Sequence, residues 1–319
     1  MRTLKLLIVG LLLAVPGLAM GDAGDIPGSS TWYLHVDLEK MRSEDAGRAV
    51  YDWMEAEIFS DVREDAGIDL AEELDRLTAF SVKGQGPVIL FEGNISQNTK
   101  DMVMTLIAAE GDLQPQKSGG KTYYRFGNGH GGDDNEANNS DDSLEVQFDA
   151  LEEESWISLA LDNKVLVTAS EDQMQDLLAK GGKFAGGRSH NGALLVLSAE
   201  KALLQAGLNS SALGGDDDDD DSDSGWDSNI LRNTEQVAFL VAAKAGMLAL
   251  EAKLVTTEAD MAESLASVVR GLISLVAFDD EMDDAAIAVL RSTKVEAKGN
   301  NLSISLAVSP DLLVSTLSD

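Results

Sequence analysis

The chain has no cysteine, which excludes disulfides, thiolate metal ligands, a cysteine nucleophile and a lipid-modified N-terminal cysteine. Histidine is almost as scarce, confined to His35, His130 and His190, and neither an HExxH zinc signature nor a GxSxG nucleophile elbow occurs. The third shortage is positive charge: 24 Lys+Arg face 56 Asp+Glu, for a formal net charge of -32. A field of that sign repels phosphate backbones and anionic headgroups, which argues against nucleic acid and lipid surfaces as partners.

Long apolar runs are missing except at the N-terminus, MRTLKLLIVGLLLAVPGLAM. Arg2 and Lys5 precede the apolar stretch Leu6 to Val15, and Pro16-Gly17 and small residues follow it. That is the three-part plan of a secretory signal peptide, expected over residues 1–21 with cleavage after Ala19 or Gly21. A spanning helix needs about twenty apolar residues, so no stable membrane insertion is expected after cleavage. The expected location is the periplasm or the extracellular space. With disulfides excluded, stability must come from burial, and a chain of this length can build one large core or two ordinary ones.

What is there reads as a recurring pattern of strand, turn, strand and capped helix. It occurs at Thr78 to Lys83 and Val88 to Glu92, around Gly84-Gln85-Gly86-Pro87, with Ser96 capping Gln97 to Ala109. It returns at Trp156 to Leu161 and Lys164 to Thr168, with Ser170 capping Glu171 to Lys180. A third copy pairs Val237 to Ala243 with Leu248 to Val255, and Thr257 caps a helix running to about Val276. A fourth pairs Thr293 to Lys298 with Leu302 to Val308, then Ser309 and Pro310 open the helix Asp311 to Leu317. Ahead of all four, Trp32 to Leu38 alternates as a half-buried strand, followed by helices at Ala46 to Phe59 and Asp69 to Leu77. Further elements are expected at Lys121 to Phe126 (strand), Leu144 to Phe148 (strand), Ala193 to Leu197 (strand) and Ala199 to Gln205 (helix).

Three landmarks repeat at one offset of 161 residues: Glu39-Lys40 with Glu200-Lys201, Lys83 with Lys244, and Ser96 with Thr257. The expected fold is therefore α+β, two similar domains of repeated ββα units with antiparallel sheets packed against helices. Their bounds are 22–183 and 184–319, joined through the glycine-rich Gly181 to Gly192.

Two acidic stretches interrupt this plan. Gly127 to Ser143 carries Asp133, Asp134, Glu136, Asp141 and Asp142, and Gly214 to Asp227 reads GGDDDDDDSDSGWD. They fall at different points of the repeat, so they read as separate insertions. Placing Gly225 sixth in an EF-hand frame puts Leu231 at the twelfth position, where a bidentate glutamate is required. Only weak, loosely ordered calcium binding is expected, at Asp216, Asp217, Asp218, Asp219, Asp220, Asp221 and Asp223. His130, in GNGHGGDDNE, is the one histidine placed to join such a cluster; His35 reads as the polar face of a strand, and His190 lies beside Ser189 in the linker. Lys117 to Thr122 ends like a phosphate loop, but Pro115 stands where the first glycine is needed and a strand follows in place of a helix.

No catalytic residue and no cofactor is assigned. The helix carrying Met261, Leu265, Val268, Val269, Leu272, Ile273 and Val276 on one wide stripe is expected to pack on a sheet, and a cavity beneath it would suit an apolar ligand. The expected function is non-enzymatic binding or scaffolding, with an unknown protein or a small apolar ligand as partner. The alternatives are a hydrolase whose carboxylates converge only in space, and a weak calcium-binding envelope protein.

Ile26-Pro27, the strand Tyr33-Leu34-His35-Val36-Asp37-Leu38 and Gly47 leading into a helix resemble the start of a group of uncharacterised secreted bacterial proteins with duplicated α+β domains. The resemblance implies a bacterial envelope setting and brings no activity and no site residue.

Overall fold

A computed structural model describes residues 30–82, 84–110, 113–127, 154–183, 193–201, 233–276 and 284–318. The Asp216–Asp221 run, Asp223, Trp226, His130, His190, residues 1–29 and most of the linker lie outside them, as does the expected strand Leu144 to Phe148. The chain gathers into two compact units: Gly24–Glu39 with Tyr51–Ser189, and Lys40–Val50 with His190–Asp319.

In unit 1, strand β1 (Ser30–Asp37) leads into helices α1 (Leu38–Ser43) and α2 (Asp45–Met54), whose first residues, up to Val50, group with unit 2. A π-helical turn (Glu55–Phe59) follows, then α3 (Ser60–Ala66) and the single turn α4 (Leu70–Glu73). Gly67 ends α3 in the left-handed region, φ 69°, which glycine adopts without steric cost. Next come β2 (Arg76–Val82), β3 (Gly86–Glu92), α5 (Gln97–Glu110), β4 (Gln114–Ser118), β5 (Lys121–Phe126), β6 (Ser155–Leu161), β7 (Lys164–Thr168) and α6 (Glu171–Ala179). The sheet order is β1-β2-β3-β7-β6-β5-β4, antiparallel throughout.

Unit 2 contains β8 (Ala193–Glu200), β9 (Thr234–Lys244), β10 (Met247–Thr256), α7 (Ala259–Val276), α8 (Asp284–Ser292), β11 (Lys294–Lys298), β12 (Asn301–Val308) and α9 (Pro310–Ser318). Its order is β8-β9-β10-β12-β11, again antiparallel. The protein is thus α+β with antiparallel sheet.

The register assigns faces. In unit 1, Leu34, Val36, Leu77, Ala79 and Ile89 share one face, and Tyr33, His35, Thr78, Phe80, Val88, Leu90 and Leu166 the other; every one is buried. Helix α5 reaches the first face, where Met102 and Val103 gather with Phe91 around Val62 and Ile68. Helix α6 lies on the second, burying Met174, Leu177 and Leu178. Each such aliphatic side chain contributes about 1.5–3 kcal/mol on burial. In unit 2, α7 buries Ala262, Leu265 and Ala266 against Leu302, with Leu254, Val295, Ala297 and Ile304 around them.

Several expectations are corrected. β1 is buried on both faces instead of one, with Leu34 and Val36 on the first and Tyr33 and His35 on the second. Asp69 to Leu77 is helical only over Leu70–Glu73; from Arg76 the chain pairs in register with Glu92, and that ladder overrides the helical propensity of LAEELDRL. Ala199 and Glu200 extend β8 against Val237 and Gln236; Lys201 is helical, and the rest of the expected helix, 202–205, lies outside the described residues. Edge strand β4 and helix α8 were not expected at all. Ser96 caps α5 as expected, accepting from Thr99 N at 3.1 Å. Ser170 has the extended cap conformation but makes no side-chain cap bond; its carbonyl accepts from Thr168 Oγ1 at 2.8 Å.

Candidate functional site

Helix α7 carries the apolar stripe expected from its sequence, but the stripe divides. Its first half is buried on the sheet, whereas Leu272 and Val276 are 51% and 42% exposed, and Leu275, outside the expected stripe, is 70% exposed. The sheet ends with the five-residue β11, so the helix outruns the surface it packs on. Helix α8 leads through Thr293 into β11, and the three elements border an open cleft of about 530 Å³. Its lining is Arg270, Ile273 and Ser274 from α7, Leu290 and Arg291 from α8, Thr293, and Val295 from β11. That volume lies within the range of small-molecule sites.

The polar groups of the cleft are unequally engaged. Arg270 donates from Nε and Nη2 to the Val295 carbonyl at 3.3 and 3.0 Å, and from Nη1 to Glu263 Oε1 at 3.3 Å. Lys298 and Asn301 flank a two-residue turn and pair directly, so alternation along β11 directs the Val295 carbonyl away from β12, toward the free edge. Arg270 therefore satisfies an edge acceptor that no strand reaches. Ser274 Oγ gives its proton to Arg270 O at 2.8 Å, and Thr293 Oγ1 gives its proton to Val289 O at 3.1 Å. Arg291, in the last turn of α8, makes no ion pair among the described residues. Among the described residues of the lining there is no carboxylate and no histidine.

Elsewhere, polar clusters are structural. Tyr123 is buried, donates to Glu171 Oε1 at 2.5 Å and accepts from Gln175 Nε2 at 3.0 Å. Burial, aided by Glu171 and opposed by Gln175, pushes its phenol above the ordinary value, so it remains a donor that ties β5 to α6. His35, expected on a solvated face, is 8% exposed with Nδ1 2.9 Å from Thr78 Oγ1 on the neighbouring strand. Lys100, also buried, donates to Leu161 O and Asp162 O at 3.1 and 2.9 Å and so holds the β6–β7 turn. Lys121, last but one in the phosphate-loop-like segment, donates to Leu178 O, and Gly119-Gly120 form the β4–β5 turn with positive φ.

Carboxylates meet in two places, each around an arginine. Arg76 lies 3.8 Å from Asp37 and 2.5 Å from Glu39, and Arg63 lies 3.6 Å from Glu55 and 3.1 Å from Asp69. These are surface ion pairs of the kind that contribute little individually. Among the described residues, no group of three or more His, Cys, Asp or Glu is placed to hold a metal ion. The seven aspartates proposed for calcium fall outside those residues. No described helix is long and apolar enough to cross a membrane.

The cleft residues were not singled out by sequence, Ile273 apart, because they come from three elements and Arg270 and Arg291 stand in no motif. The available signal was the break of the α7 stripe at Arg270-Gly271.

No protein-family model matches the chain, and no curated protein does. Among solved structures, crystal form III of TP0453 is similar at 10% identity, covering 94% of this chain and 98% of that chain with a TM-score of 0.41. Crystal form IV is similar at 11% identity over the same shares, with a TM-score of 0.42. Likeness at this level carries no functional argument.

Proposed function

We propose that this chain is an exported, non-enzymatic binding or scaffold protein, made of two copies of one α+β domain, whose second unit takes a small ligand in the α7–α8–β11 cleft. The observation that carries the reading is the cleft itself: a small-molecule-sized space with an apolar wall of Ile273, Leu290 and Val295 and, among its described lining residues, no acid, base or nucleophile suited to bond breaking.

Duplication is supported by order as well as by offset. β1-β2-β3-β7-β6 and β8-β9-β10-β12-β11 follow one plan, to which unit 1 adds β5 and β4 at its edge. The first hairpin and helix of each copy are 161 apart, Ser96 with Thr257; the second are 139 apart, Ser170 with Ser309. The change of offset falls where unit 1 holds β4, β5 and the acidic stretch at Gly127 to Ser143, and unit 2 holds α8. Export is supported by the N-terminal segment and by an acidic, cysteine-free composition; mass spectrometry of the mature protein should find it starting at Met20 or Asp22.

The test of the cleft is binding of a neutral solvatochromic dye such as Nile red. The dye should bind the intact protein, and Ile273→Trp or Leu290→Trp, each filling the cleft, should abolish its emission shift while leaving the circular dichroism unchanged. Absence of a shift, or a shift that survives both substitutions, rejects the reading.

A further inference from the structure

Resting on that reading, we infer that the ligand is a small amphiphilic monoanion, one carboxylate or phosphate-type head on an apolar body. The head meets Arg291 and the body meets Ile273, Leu290 and Val295.

The lining's hydrogen-bonding capacity decides the sign of the head. Both hydroxyls have committed their protons to backbone carbonyls, Ser274 to Arg270 and Thr293 to Val289, so neither donates into the cleft. Among the described residues of the lining, the side-chain donors left are guanidinium N–H groups, two on Arg270 beyond the three it uses and all five on Arg291. Among the described residues of this lining, a ligand head that only donates, such as an ammonium, finds no carboxylate partner. One that accepts and carries negative charge meets a planar fork suited to bidentate binding.

A basic residue in a helix's last turn is also favoured by the helix dipole. What distinguishes Arg291 is its company. Among described arginines, Arg63, Arg76, Arg125 and Arg270 are each tied to a carboxylate and Arg48 donates to the Arg42 carbonyl, while Arg291 shares its cleft with a second guanidinium and an apolar wall. The chain's excess negative charge sets an upper bound on the ligand. Each further negative charge adds repulsion from the whole protein, so a monoanion fits where a polyphosphate does not.

Displacement of bound Nile red by decanoate, decyl phosphate, decanol and decyltrimethylammonium, equal in chain length and compared at about pH 5.5, where a phosphate monoester is mainly a monoanion, tests this. Decanoate or decyl phosphate should displace the dye at concentrations about tenfold below decanol, the difference expected for one charge-assisted contact. Comparison of the two anions identifies which head the fork prefers. Arg291→Gln should remove the preference for the anion while preserving dye binding, and Arg291→Lys should restore part of it. Equal displacement by decanoate, decyl phosphate and decanol, stronger displacement by the cation, or an anion preference that survives Arg291→Gln overturns the inference and leaves the cleft reading standing. Failure of Nile red to bind overturns both.

Discussion

Unit 1 and unit 2 follow one strand order, yet they treat the second face of the sheet oppositely. In unit 1 the cross-strand pair Leu90–Leu166 is 1% and 0% exposed, and α6 lies over that face with Met174, Leu177 and Leu178 buried. At the same place in the plan unit 2 has Glu251–Ser305, both partly exposed, and none of the described side chains of α9 is buried. The edges differ likewise. β6 is paired by β5, whereas β11 ends its sheet and presents a carbonyl to an arginine. With the same strand order, the two units thus differ: the first buries this pair beneath a helix, and the second leaves its counterpart partly exposed and has a cleft at its edge.

The largest expected effect comes from the closed face. Leu166→Ala should cost about 2–5 kcal/mol in urea denaturation, whereas Ser305→Ala, its counterpart, should stay within about 0.5 kcal/mol. Equal losses would break the comparison. Next is Gly93, whose added Cβ would stand 2.1 Å from the Glu73 carbonyl. Gly93→Ala should cost about 1–3 kcal/mol through overpacking. Its counterpart in unit 2, at the 161-residue offset, is Leu254, a member of the core beneath α7. Unit 1 therefore needs glycine where α4 crosses close by, and unit 2 fills the position with a large side chain.

A smaller effect belongs to the β9–β10 turn, where Ala245 holds φ 53° ahead of Gly246 at φ 76°. Asparagine tolerates this region better than alanine, so Ala245→Asn should raise stability by about 0.5–1 kcal/mol, read as an increase in Tm. The subtlest effect is at Glu251. Burial raises its carboxyl above the ordinary glutamate range, opposed by Lys253. The folded state therefore binds this proton more tightly than the unfolded state, and stability falls as pH rises through the window between the unfolded and folded values. Glu251→Gln should give a small gain in Tm at neutral pH that disappears below the ordinary glutamate range. A gain independent of pH would show that the face is not acting on the charge.

Legibility followed locality. The four hairpins were readable because each carries its own turn chemistry, such as Gly84-Gln85-Gly86 and Gly299-Asn300, and an alternating pattern on both sides. β4 was not, since QPQKS is polar, contains Pro115 and is an edge strand held only by β5. The sequence DDAAIAVLRS has helical spacing over a span too short to separate from the acidic run before it, so α8 went unread. His35 was misread because a histidine opposite a threonine looks solvated until the covering of both sheet faces is known. The candidate site depends on α8 and on where the sheet stops, which were not foreseen; the helix and the strand that form two of its walls, α7 and β11, were.

Arg270 serves two masters, the rim of the cleft and the outer carbonyl of β11. An exposed strand edge is a template for pairing with another chain. An anion that drew this side chain inward would uncover that template, so ligand occupancy and self-association would become linked equilibria, each shifting the other by the same factor. Sedimentation of the protein with and without decanoate would reveal the coupling as a ligand-dependent dimer, and an unchanged mass at all protein concentrations would dismiss it.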